Sequence, residues 1–245
     1  MDFIRFFNTI RYLKPVQIYG RVWFRLYKPK PVVTKTPSLN HIKGVWINPC
    51  VKSNSLFPHM RFEFLNISHT IKSSHDWNNL GWDKLWLYNL HYFDDLQSLD
   101  AKKKRVQHID LIEKWINENP PGTGNGWEPY PISLRIVNWV KWSLNGNFLS
   151  DDALHSLAVQ TRYLLKKPEY HLLGNHLFTN AKSLVFSGLF FKGTEAQRWL
   201  KKGLQILNKQ IKEQILPDGG HFELSPMYHS IILEDLLDLI NLMRA

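Results

Sequence analysis

Three short stretches place chemically capable side chains next to one another. The first is Gly174-Asn175-His176, where a glycine followed by asparagine at the start of an apolar stretch reads as a helix start with Asn175 as its N-cap. As a cap the residue is structural, and His176 is its first-turn neighbour. As an amide donor at the positive end of a helix, Asn175 suits an anion such as a substrate carboxylate. The second is Pro217 to His229, in which Asp218-Gly219-Gly220 forms a turn and His221 and Glu223 follow it. Ser225 and Pro226 then start a last helix, placing Tyr228 and His229 in its opening turn. A packed tyrosine with a bonded hydroxyl and a catalytic phenol fit that spacing equally. The third is Gly126-Trp127-Glu128-Pro129-Tyr130-Pro131, leading into a helix that carries Arg135. Bunched Trp127, Glu128, Tyr130 and Arg135 suit a sugar subsite or a structural corner.

The elements that must position these residues are mostly helices. Residues 1–28 have helical spacing (Ile4, Phe7, Ile10, then Ile18, Val22, Leu26), with Pro15 dividing two helices. Residues 29–80 lose that period at Pro29, Pro31, Pro37, Pro49 and Pro58, and Arg61 to Ile67 reads as one short strand. From about residue 83 onward the period returns. Helices are expected over Leu85–Leu96, over a segment carrying Val106, Ile109, Ile112 and Ile116, and from Pro131 to Leu144. Others run from a Ser150 or Asp151 cap to Lys166, and over about 176–191, 195–214 and 227–243. Short connections imply antiparallel hairpins, and no short repeat supports a solenoid. The expected fold is all-α: an incomplete (α/α) toroid over 81–245, with an N-terminal unit of helices and irregular extension over 1–80.

Composition narrows the partners. With one cysteine, Cys50, in 245 residues, an internal disulfide framework and a cysteine-rich zinc cluster are excluded. The net charge of +10 attracts polyanions, and ten tryptophans with nine tyrosines supply rings that stack on sugars as well as fill cores. The basic residues form short clusters such as Lys102–Arg105 rather than one stripe interleaved with aromatics, so nucleic acid is not the expected partner. No apolar run approaches the roughly 18 residues of a membrane span. The start of the chain, with Asp2, Arg5 and Arg11 around its apolar residues, is not a signal peptide by pattern, which leaves cytoplasm and periplasm both open.

Together the segments Trp127–Arg135, His171–His176 and Asp218–His229 resemble the heparinase II/III family of polysaccharide lyases and its alginate-lyase relatives. The resemblance runs from about Leu85 to the C-terminus, and it implies a toroid that precedes a β-sandwich domain. It also implies β-elimination on uronate-containing glycans. Asn175, assisted by His176, would neutralise the uronate carboxylate, and Tyr228 would protonate the leaving oxygen. Trp127, Glu128, Tyr130, Arg135, His221, Glu223 and His229 would line the substrate. A phenol ordinarily titrates near about 10, so service as a base would need help from neighbours such as His221, His229 or Arg135. The resemblance implies neither metal nor cofactor in this stretch. The expected partners are an acidic polysaccharide and a C-terminal β-sandwich, as a domain or a separate chain, that brings the base. Two rivals stay open: a toroid glycoside hydrolase using two of Glu128, Asp218 and Glu223, and a non-catalytic glycan-binding or assembly module.

Overall fold

The computed structural model describes residues 7, 8, 10–41 and 43–245. Ile4, and most of the start on which the export reading rested, lie outside them.

Helix α1 spans Pro15–Leu26 with proline at its first position, where the missing N–H costs no hydrogen bond. The following irregular segment holds a small antiparallel sheet rather than the single expected strand. Its strands are β1 (Leu56–Phe57), β2 (Arg61–Phe64) and β3 (Ile67–Thr70), in the order β1-β2-β3. The hairpin turns at Leu65 and Asn66, both at positive φ (55° and 61°). Such two-residue turns favour Asn and Gly, and a leucine at the first position masks the signal.

Seven further helices follow: α2 (Lys84–Tyr92), α3 (Arg105–Glu118), α4 (Pro129–Leu144), α5 (Asp151–Lys166), α6 (Gly174–Phe190), α7 (Thr194–Gln214) and α8 (Pro226–Arg244). Asp83 caps α2 by accepting from the Leu85 and Trp86 amides, and Ser150 caps α5 by accepting from Ala153. Helix α2 stops short of the expected Leu96, because Phe93 takes a left-handed conformation (φ 63°) and a 3₁₀ turn over Asp94–Gln97 follows. Helix α4 starts two residues before the expected Pro131, since Pro129 also tolerates a first-turn place.

The helices alternate between two layers. Sequential neighbours run antiparallel: a Cβ on Gly188 of α6 would lie 2.6 Å from the Leu200 amide nitrogen of α7, and one on Gly203 would lie 2.8 Å from the Ala181 carbonyl. Near the far end of that pair, Gln214 donates to the Gly174 carbonyl. Helices two apart run parallel. Lys84 pairs with Glu128 and Asn138 donates to the Tyr92 carbonyl, tying α2 to α4; Asn180 donates to Ser133, tying α6 to α4. Lys182 of α6 and Lys141 of α4 both bond Asp238 of α8. Thus α2, α4, α6 and α8 form an inner ring, and α3, α5 and α7 lie outside it. This is an incomplete α/α toroid of antiparallel hairpins.

Seven of the ten tryptophans (Trp77, Trp86, Trp115, Trp127, Trp139, Trp142, Trp199) are buried in one core, together with Leu56 and Phe62 of the sheet. Each such ring removes on the order of 150–250 Å² from water, so the aromatic excess is mainly a packing feature. Among the described residues no helix is long and apolar enough to cross a membrane.

Candidate active site

Parallel inner helices bring their N-termini to one rim, and the opening turns of α4, α6 and α8 carry the three segments picked out by sequence. Each N-terminus presents unpaired N–H groups and the positive end of a helix dipole. A rim of three such ends favours an anion more than any one would.

The structure corrects the role of Asn175. The N-cap position of α6 is Leu173, held at φ 62°, and no side chain caps the helix. Gly174 also has positive φ (53°), which a glycine adopts without a Cβ clash. A branched residue at such a φ is strained, by roughly 1–3 kcal/mol, and strain of this kind concentrates at functional sites. Asn175 is therefore the second helical residue, half-buried, with its amide directed at the Tyr130 hydroxyl 3.5 Å away. Its amide is freed from capping and aimed across the rim.

His176 is half-buried and its ring lies 4.3 Å from the Tyr130 ring. Its Nδ1 stands 3.2 Å from Glu169 Oε1. Glu169 is 5% exposed and fixed on its other side by Asn180, which donates to Oε2 and accepts from the Glu169 backbone amide. A carboxylate there accepts a hydrogen bond from Nδ1–H, which fixes the ring and leaves Nε2 as the lone-pair nitrogen of a neutral imidazole. Tyr130 is raised above its ordinary pKa, first by burial and then by the charge of Asp235, so it sits on the rim as a neutral phenol. Tyr92 packs edge-on against it at 5.8 Å, and the Tyr88 hydroxyl bonds Glu128. Glu128 also meets Lys84 at 3.1 Å.

The third segment closes the rim. His221 is buried, with its ring Nε2 3.1 Å from Gln214 Oε1, and Gln214 in turn donates to the Gly174 carbonyl. Burial lowers the His221 pKa, so the ring is neutral, and the Tyr228 ring centroid is 6.2 Å from it. Tyr228 is half-buried, His229 is exposed, and Glu223 is exposed with its carboxylate 3.3 Å from where a Cβ on Gly174 would stand.

Two of the sequence-derived substrate contacts lie elsewhere. Arg135 is fully buried: it donates to Gln160, the His91 carbonyl and the Gly126 carbonyl, and its guanidinium stacks 3.8 Å over Trp115. Bonded to two backbone carbonyls and Gln160 and shut off from solvent, it fixes the Gly126 loop and does not reach a sugar. Trp127 is 3% exposed and donates to the Asn119 carbonyl, so it holds the same corner from inside. The residues that spacing missed are Glu169, Asn180 and Gln214, which reach the site only through tertiary packing, and Tyr88 and Tyr92. The last two stand four apart on α2 and carried a helical signal without a partner to give it meaning. Among the described residues, no group of three or more His, Cys, Asp or Glu is placed to hold a metal ion.

Fold and site together define an incomplete α/α toroid whose inner N-termini gather an amide, an imidazole and phenols at one rim. Residues 70–245 match the family model described as the heparinase II/III N-terminus, and the chain belongs to that family. A heparin-sulfate lyase of Bacteroides thetaiotaomicron is 32% identical over 160 residues, covering 60% of this chain and 23% of the relative. Its counterpart in Bacteroides stercoris is 38% identical over 132 residues, covering 47% of this chain and 18% of the relative. Among solved structures, a heparan sulfate lyase mutant from Pedobacter heparinus superposes with a TM-score of 0.56 at 19% identity, over 94% of this chain and 39% of that one, which speaks for the fold. The chain thus spans about a fifth of the length of those curated relatives.

Proposed function

We propose that the rim formed by α4, α6 and α8 is the reacting centre of a polysaccharide lyase that cleaves uronate-containing glycans by β-elimination. The carrying observation is Asn175 at the uncapped N-terminus of α6, beside a His176 whose tautomer is held by Glu169. A C5 proton next to a carboxylate is too weakly acidic to leave until that carboxylate is neutralised and the developing enolate stabilised. The Asn175 amide and the α6 amides supply preorganised donors for this charge, commonly the largest catalytic contribution, and His176 assists from a ring held in place by Glu169. Tyr228 gives its proton to the C4 oxygen as the C4–O bond breaks and the C4–C5 double bond forms. A β-sandwich partner, as a domain or a separate chain, brings the base that accepts the C5 proton.

The test is the ultraviolet absorbance of the unsaturated uronate, followed on heparan-type chains, alginate and other uronates, with that partner present and absent. Asn175→Ala should lower turnover by about 10²–10³-fold while the melting temperature holds. Tyr228→Phe should do the same. Reducing ends without the absorbance would identify a hydrolase instead, and binding without either product a non-catalytic module.

A further inference from the structure

Helix α6 has a second face with its own cavity. Leu173 and Leu177 line a groove of about 1010 Å³, whereas Asn175, two residues round the helix from each, points the other way. The walls of the groove are α1 and α7. Helix α1 buries none of its residues fully, and it touches the body closely at Gly20, where a Cβ would lie 3.3 Å from His171. Phe24 packs on the His171 ring at 4.0 Å and carries the Lys167 ammonium 4.0 Å over its face. Tyr19 and Trp23 stay 64% and 61% exposed, with Trp23 held flat by stacking on Tyr27 at 4.9 Å.

The charge of the lining is one-sided. Lys166, Lys167, Lys202 and Lys209 contribute ammonium groups, and Lys202 and Lys209 stand two turns apart on one face of α7. The single carboxylate of the lining, Glu213, is paired with Lys14. Exposed flat rings facing a row of cations match an acidic sugar chain, whose ring faces are apolar and whose edges are charged. Leu173 belongs to this groove and to the start of α6, so a polymer lying here has a short path to Asn175.

We propose that this groove is a second binding site for the acidic glycan, gripping a length of chain outside the reacting centre, with sugar rings on Trp23 and Tyr19 and carboxylate or sulfate groups on Lys202 and Lys209. The choice of glycan rests on the function proposed above, and the groove itself is tested apart from it. Binding of long heparan sulfate chains is measured by calorimetry on the whole chain at two salt concentrations, for wild type, Lys102→Ala/Lys103→Ala, Lys202→Ala/Lys209→Ala, Lys202→Arg/Lys209→Arg and Trp23→Ala. The alanine pair should weaken binding by about tenfold or more and flatten its salt dependence. The arginine pair should restore it, and Lys102→Ala/Lys103→Ala, in an exposed basic cluster outside the groove, should leave it nearly unchanged. Trp23→Ala should cost about fivefold or more. Trp23 and Lys209 are exposed and Lys202 is half-buried, and unchanged melting temperatures verify folding. Long-chain affinity that is indifferent to the alanine pair and to Trp23 overturns the groove, whether or not the protein turns glycan over. Equal losses for single-stranded DNA overturn it too, as a patch without preference for sugar. Selective losses in a protein that shows no lyase product with its partner present uphold the groove and refute the catalytic reading alone.

Discussion

At the scale of the residue, the informative contact is the one between His176 and Glu169. A neutral imidazole presents a donor on one ring nitrogen and a lone pair on the other, and a buried carboxylate 3.2 Å from Nδ1 keeps the proton there and leaves Nε2 as the acceptor. Glu169 is thereby a positioning residue. In Glu169→Ala the tautomer is released, so the ring-nitrogen shifts of His176 in nitrogen-15 spectra should move towards a mixed population. Turnover, where it is assayed, should fall by about 10–100-fold. Glu169→Gln keeps an acceptor for Nδ1 and should recover most of both. Unmoved His176 shifts in the alanine variant would remove Glu169 from the site. None of this was visible locally: Glu169 precedes His176 by seven residues in a loop, and only the packing of that loop on Asn180 brings them together.

At the scale of the element, the decisive pair is α6 with α7. Gly188 and Gly203 let the two helices approach until a Cβ at either would sit 2.6–2.8 Å from backbone of the other. Because backbone cannot turn aside as a side chain can, Gly188→Ala should push the pair apart and cost about 1–3 kcal/mol, read as a lower midpoint in urea. A shift within error would mean that the helices slide at no cost. The same contact sets the height of Gly174, and through it the rim, so the loss of stability should come with weaker glycan turnover. Helix positions were largely readable from the sequence, because a 3.6-residue apolar period survives any packing partner. Their ends were less so. Phe93 and Leu173 adopt positive φ against their own preference, and only surrounding structure holds them there.

At the scale of the whole molecule, the core contains ionisable groups that make acid a specific hazard. His91 is fully buried, donating from Nε2 to the Trp77 carbonyl and accepting from Trp115 at Nδ1. Burial, then the charge of Arg135, lowers its pKa from 6.5 to about 3. The unfolded chain binds this proton more readily, so its full contribution is present above about 6.5 and is lost as pH falls towards 3. Asp95 adds to the lower end. Burial opposes its charge, but bonds from His108, Leu56 and Ser55 and the charge of Lys104 outweigh that and lower its pKa to about 2. Its stabilisation is present above the ordinary carboxylate range and lost as pH falls through about 2. Melting temperature should therefore decline below pH 6.5, steepening towards 3, and the His91 ring should not titrate by proton NMR between pH 8 and 5. A His91 midpoint near 6 would contradict the burial that produces this slope.

By itself the sequence determined the class of the fold, the order of the helices and the three segments that carry the candidate residues. Apolar period, caps and proline positions are local properties, and the family pattern of Trp127–Arg135, His171–His176 and Asp218–His229 is written in the chain. Only the tertiary structure decided what the side chains do there. It turned Asn175 from a cap into a free amide, withdrew Arg135 and Trp127 into the core, and brought Glu169 and Gln214 to the site. It also set α1 against α7 to form a basic groove that spacing did not suggest. The reason is physical: a hydrogen bond or a burial depends on which distant residue arrives at about 3 Å, and that is a property of packed helices rather than of neighbours in sequence.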